Sequence, residues 1–182
     1  FKLSGGFSIR AQLFSPDDKP IDGQTWEFFN NWESRVNVTE YEIDRRTGAE
    51  VPDLLKLPKS AITSTYQMPM LRGLMRNVEI RGQLCLSDLI VPETGDYQIV
   101  AKTQSGHANI YLDLNQNKTW DPDEKLITNT PNSEAPITSK TFTLTKGQRY
   151  PLRVDHKTGM PRPVVLVYLK KGDERKREIS SF

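Results

Sequence analysis

The sequence has one cysteine, Cys85, in 182 residues. An intrachain disulfide is therefore excluded, and with it the small disulfide-stapled extracellular scaffolds. Histidine is almost as scarce. His107 and His156 are the only two, which excludes His-rich metal sites and most imidazole relays. Long apolar runs are missing as well. The longest, from Val164 to Leu169, is far short of the roughly 20 residues that a membrane-spanning helix needs. Charge of one sign is not in excess. Lys and Arg total 25 against 23 Asp and Glu, a net charge of +2, so there is no electrostatic case for nucleic acid as the partner. The Gly-x-Ser-x-Gly, His-Glu-x-x-His and phosphate-loop patterns do not occur. Neither histidine sits beside a nucleophile motif, and Asp155-His156 in a strand would point its two side chains to opposite faces. A carboxylate pair for glycoside hydrolysis stays open, because separation in space is not visible in a sequence. The reading is no enzyme.

What is present is a chain long enough to bury roughly 70% of its unfolded surface without a metal or a cross-link. Its length fits one domain, 1–182. It opens on Phe1 rather than Met, and we expect a mature or excised chain from a larger parent. Residues 7–14 alternate apolar and polar side chains, the pattern of a half-buried strand. Trp26, Phe29 and Trp32 recur at three-residue spacing, which suggests a short helix. Residues 44–75 read as loop, with Pro52, Pro58 and Pro69. The segment 1–75 as a whole reads as a first strand followed by a stretch that wraps the rest. From residue 76 the pattern changes. Alternation recurs over 78–86, 97–101, 108–112, 142–144, 150–154 and 163–169, with turn signals at Thr94-Gly95-Asp96 and Lys146-Gly147-Gln148. Residues 113–136 read as a polar loop and 171–182 as a charged, solvated tail. Short strands at this spacing predict an all-β fold, an antiparallel β-sandwich or barrel. Cys85, between Leu84 and Leu86, reads as a small buried residue.

One window carries chemistry. Counting Asp113 as position 1, oxygen-bearing side chains fall at Asp113, Asn115, Asn117, Asp121 and Glu124, which are positions 1, 3, 5, 9 and 12. Thr119 at position 7 can offer its backbone carbonyl. This is the spacing of the twelve-residue calcium loop, in which alternate residues of a curled chain all point at one hard cation. Three carboxylates oppose the ion. Trp120 at position 8 is apolar, where such a loop anchors to a core, and Pro122 stiffens the exit. Position 6 is Lys118 rather than Gly. A side chain in the left-handed conformation that this position needs costs on the order of 1 kcal/mol, so weak affinity is expected, in the range of extracellular modules. The alternative is an Asn/Asp-rich turn that bonds to its own backbone. The flanks alternate like strands, as in calcium loops that join strands of exported bacterial proteins.

Four phrases in order carry a family likeness. They are Val78-Glu79-Ile80-Arg81-Gly82 through Leu89-Ile90-Val91-Pro92, then Glu93-Thr94-Gly95-Asp96-Tyr97-Gln98-Ile99, then Ala108-Asn109-Ile110-Tyr111-Leu112-Asp113. The fourth is the hairpin Thr143 to Val154, with Val164 to Leu169 as closing strand. Together they resemble the PA-fourteen (PA14) domain family, the β-sandwich named after the protective antigen of anthrax toxin. The likeness covers about half the chain. It implies a non-catalytic module of the kind found in glycosidases, adhesins, yeast lectins and toxin components. Lectin members hold calcium with adjacent aspartates just before the strand that ends here at Asp113. This chain has Gln104-Ser105-Gly106-His107 there, without the acidic pair.

These readings combine into an expectation: a calcium-binding, extracytoplasmic module that recognises a glycan or a protein surface. The alternative is an assembly domain of a toxin or surface protein in which calcium only rigidifies the fold. Tyr111, Trp120 and Trp26 are the candidates for stacking on a sugar, against a plain anchoring role.

Overall fold

The computed structural model describes residues 7–14, 20–30, 36–43, 50–68, 81–91, 93–104, 106–128, 130, 133–158, 164–172 and 177–178. Among the described residues thirteen strands follow one another. They are β1 (Phe7–Phe14), β2 (Pro20–Asn30), β3 (Val36–Glu42), β4 (Ile62–Met68), β5 (Arg81–Ile90), β6 (Gly95–Gln104) and β7 (His107–Leu112). The chain continues through β8 (Lys125–Ile127), β9 (Ser133–Thr138), β10 (Phe142–Leu144), β11 (Arg149–Thr158), β12 (Val164–Lys171) and β13 (Arg177–Glu178). Helical structure among the described residues is confined to single 3-10 turns at Leu54–Lys56, Lys59–Ala61 and Pro122–Glu124. No helix among the described residues is long and apolar enough to cross a membrane.

The strands form an antiparallel six-stranded sheet in the order β4-β3-β5-β11-β7-β8 and a five-stranded sheet in the order β10-β6-β12-β13, with β9 also on β6. β1 and β2 pair with each other as a two-stranded sheet. In the larger sheet, β11 is the central rail. It pairs with β5 from Arg149↔Ile90 to Thr158↔Arg81 and with β7 from Leu152↔Leu112 to Lys157↔His107.

Period-two alternation decides which side chains meet. Leu152 and Val154 of β11, Ala108, Ile110 and Leu112 of β7, Cys85 and Leu89 of β5, and Val36 and Val38 of β3 face one way. They share one buried cluster with Tyr97, Ile99, Ala101, Phe142, Leu144, Val167 and Leu169 of the smaller sheet. The two sheets therefore close face to face as an all-β sandwich. Each large aliphatic side chain buried there contributes about 1.5–3 kcal/mol.

Three sequence expectations need correction. Of the short helix expected around 24–33, residues 24–30 are instead part of strand β2, with Trp26 opposite Ala11, and 31–33 lie outside the described residues. Aromatic residues favour a pleated strand, and three of them at spacing three are too few to fix a helix. The loop-like stretch 44–75 holds strand β4, which pairs with β3. Residues 50–61 lie against the outer face of the six-stranded sheet. The polar stretch 113–136 holds β8 and most of β9. Of the expected strand 78–86, residues 78–80 lie outside the described residues, and the strand continues to Ile90.

Candidate functional site

β7 delivers the chain to the calcium-type loop. Its last residues, Tyr111 and Leu112, are held by Arg153 and Leu152 of β11 across the ladder. Asp113 N–H then donates to Pro151 O at 2.9 Å, which fixes where the loop starts. Asp113 is fully buried. Its Oδ2 accepts the backbone N–H of Lys118 at 2.9 Å. Its Oδ1 is buried with no hydrogen-bond partner, which is costly for a carboxylate oxygen. Lys118 has φ 64° and Gln116 φ 60°, the only non-glycine residues with positive φ among those described.

The remaining oxygens hold one another. Asn115 Oδ1 accepts from Asn117 N–H at 2.9 Å, and Asn117 Oδ1 accepts from Thr119 N–H at 2.8 Å. The amides of Asn115 and Asn117 donate to Asp121 Oδ2 at 3.1 and 2.8 Å. These two donors, Asn117 first, hold the Asp121 carboxyl below its usual range. Glu124 is nearly fully buried. Its Oε1 accepts from Leu114 and Asn115 N–H at 2.8 and 3.2 Å, and its Oε2 from Asp121 N–H at 3.1 Å, closing a capping box.

The loop is thus curled on its own hydrogen bonds, with Asp113 Oδ1 as its open acceptor. Asp113, Asn115, Asn117, Thr119, Asp121 and Glu124 lie together, but their carboxylates do not converge. Among the described residues no three His, Cys, Asp or Glu side chains form a metal-holding group. The open acceptor is a hard carboxylate oxygen, the type of donor that calcium takes. The positions 104–107, where the family likeness places an acidic pair, carry no carboxylate. His107 there sets Nδ1 2.7 Å from Thr130 O.

Tyr111 and Trp120 meet in space, with ring centroids 6.2 Å apart at 65°. Tyr111 is only 9% exposed. Arg153 Cζ lies 4.6 Å from its centroid and Lys125 Nζ 5.5 Å, both cross-strand neighbours in the register. Of these two, Trp120 is the one left partly exposed at the surface. Trp26 belongs to β2, where only the backbone is described.

Sequence reasoning missed the charges behind this pair. Arg153 is almost completely buried and grips Asp155 with two nitrogens, its Nε 2.9 Å from Oδ1. It also bonds Asp53. Burial pushes the Asp155 carboxyl up, against the pull of the guanidinium. For Asp53 burial acts the same way, but the Arg153 and Lys56 contacts outweigh it and its carboxyl is lowered. The available signal was three charged residues at alternate positions, Arg153, Asp155 and Lys157, in a strand whose other side is apolar.

His156 and Cys85, residue types that can serve catalysis, are both buried. His156 is fully buried with both ring nitrogens unpartnered, and burial followed by the His107 charge lowers it to about 4. Burial first, then Asp155 and Glu40, push the Cys85 thiol up to about 12, so it stays protonated.

No family model matches the chain, and no curated protein sequence matches it. Solved structures do. A PA14 domain of the MpAFP antifreeze protein superposes with a TM-score of 0.61 at 12% identity, covering 80% of this chain and 87% of that one. A PA14 sugar-binding domain from an RTX adhesin gives 0.58 at 12%, covering 81% and 96%. A β-glucosidase from Kluyveromyces marxianus gives 0.56 at 16%, covering 90% of this chain but 18% of the enzyme. At these identities the likeness shows the fold: a β-sandwich of the PA14 type.

Proposed function

We propose that the chain is a non-catalytic carbohydrate-binding module acting outside the cytoplasm as part of a longer protein, with calcium held by the 113–124 loop. The glycan reading is supported by the fold, which is similar to that of a sugar-binding adhesin domain. The calcium reading is carried by one observation, the buried Asp113 Oδ1 that nothing in the loop satisfies. Bound calcium supplies a doubly charged centre that takes hard oxygens. Asp113 presents its free oxygen, and Asn115, Asn117, Thr119 and Asp121 stand at the alternate positions around it. Glu124 holds the loop's two ends together through three backbone N–H groups. Trp120 is the residue positioned to meet a sugar ring, with Tyr111 beneath it as support.

A second reading is an assembly domain in which calcium only rigidifies the loop. Two observations favour it. Tyr111 is buried and Trp120 packs on it, and positions 104–107 lack acidic residues. Terbium, which takes calcium sites and is sensitised by nearby indole, tests the metal. A glycan array run with calcium and with EDTA tests the sugar. Saturable, calcium-dependent glycan binding lost in Trp120→Ala supports the first reading. Terbium emission without any glycan signal transfers the weight to the second.

A further inference from the structure

The outer face of the six-stranded sheet is not open to solvent where β11 crosses it. Residues 50–61 form a strap over it, tied down at successive points. Lys157 Nζ donates to Glu50 O at 3.2 Å, and Asn109 Nδ2 donates to Val51 O at 3.3 Å. The Leu54 side chain is fully buried in a notch over Gly82, where a Cβ would come within 2.6 Å of it. Asp53 bonds Arg153 and also caps the strap's first turn, accepting Leu55 N–H at 3.3 Å.

The guanidinium that holds Asp53 is also the one packed on the loop. Arg153 Cζ lies 4.6 Å from the Tyr111 centroid and 5.9 Å from the Trp120 centroid. Trp120 stands between Thr119 and Asp121, two oxygen-bearing residues of the loop. We propose that Arg153 is a shared clasp, so that calcium in the 113–124 loop and latching of the 50–61 strap favour each other. This rests on the calcium reading above.

The physical reason is the position of the indole. With Thr119 and Asp121 drawn to one centre, Trp120 is fixed on both sides and confines the guanidinium from the loop side. Arg153 then keeps the orientation in which Nη2 serves both Asp53 and Asp155 while Nε serves Asp155. With Trp120 loose, Arg153 retains Asp155, which is its neighbour on β11, and Asp53 is the contact given up. On this proposal the strap exchanges between a latched and an unlatched arrangement. Any differential affinity of the loop for the ion between them must act in both directions.

The experiment follows amide hydrogen exchange over 54–61, with and without calcium, in the wild type and in Asp53→Asn. Calcium titration calorimetry is run on both proteins. The reporting bonds are Lys56 N–H to Asp53 O, Leu57 N–H to Leu54 O and Ala61 N–H to Pro58 O. Asp53 is partly exposed and is not a loop residue, so the variant keeps the loop's oxygens intact. We expect calcium to slow exchange of these amides about tenfold in the wild type, a typical coupling. In Asp53→Asn they exchange fast under both conditions, and calcium affinity falls by a similar factor. Calcium binding with unchanged strap exchange, and equal affinity in the two proteins, overturns the clasp while leaving the calcium reading intact. No calcium heat and no terbium emission in the wild type overturns both.

Discussion

The two faces of the six-stranded sheet are stabilised by different chemistry. The inner face is apolar, and Leu152, Val154, Ile110 and Leu112 need only another apolar surface to bury them. The outer face at the same strands carries Arg153, Asp155 and Lys157, all buried as deeply, and it depends on specific partners. The inner face tolerates imprecision, because dispersion and the hydrophobic effect are non-directional. The outer face does not, because a buried charge without its partner is costly. Its small apolar cluster, Tyr41, Ile43, Leu54 and Leu84, sits beside the charges and is closed by the strap.

The largest expected effect breaks the outer face. Arg153→Ala leaves Asp155 buried without its partner and should cost about 3–5 kcal/mol in urea unfolding. The double replacement Arg153→Met with Asp155→Leu should recover most of that loss; if it is as damaging as the single change, the charges are not the weak point. On the inner face, Leu152→Ala should cost about 2–5 kcal/mol by transfer and cavity terms. No partner swap should rescue it.

Acid tests the inner face at its one buried imidazole. His156 has a folded-state pKa lowered to about 4 from 6.5. The unfolded chain therefore takes up a proton that the folded chain refuses. The stability from this group is fully present above pH 6.5 and is lost as pH falls toward 4, by about 3 kcal/mol in all. His156→Gln should flatten that part of the stability profile; an unchanged slope would assign it to other groups. Next in size is Gly106→Ala. Its Cβ would lie 2.6 Å from Lys157 O and 2.7 Å from His156 Nε2, and a backbone oxygen cannot step aside. A loss of about 1–3 kcal/mol is expected. The smallest effect is a gain. Lys118→Gly removes a side chain from a left-handed residue, and should stabilise the loop by about 1 kcal/mol.

The same contrast explains what the sequence made legible. The strands at 95–104, 107–112, 142–144 and 149–158 could be read because one side of each is apolar and the period is two. The outer face could not be read. Alternation marks Arg153, Asp155 and Lys157 as polar, and polar normally means solvent. Only the strap reverses this, and 50–61 carries proline and charge rather than a periodic pattern. β9 escaped because it contains Pro136 and lies largely exposed on β6, where a strand needs little apolar side. In the candidate site, the spacing of the oxygen-bearing residues was visible in the sequence, while the contact between Tyr111 and Trp120 was not. The orphaned Asp113 Oδ1 and the Arg153 cluster were not visible either, because both depend on what the fold brings from elsewhere in the chain.

The most direct measurement is the melting temperature in calcium, in magnesium and in EDTA, for the wild type and for Asp113→Asn. With calcium at a hundred times its dissociation constant, the wild type should gain about 2.7 kcal/mol. Magnesium should give less, and Asp113→Asn should show no calcium-specific gain. Identical melting of the wild type in all three conditions would contradict the account and leave 113–124 as a turn that satisfies itself.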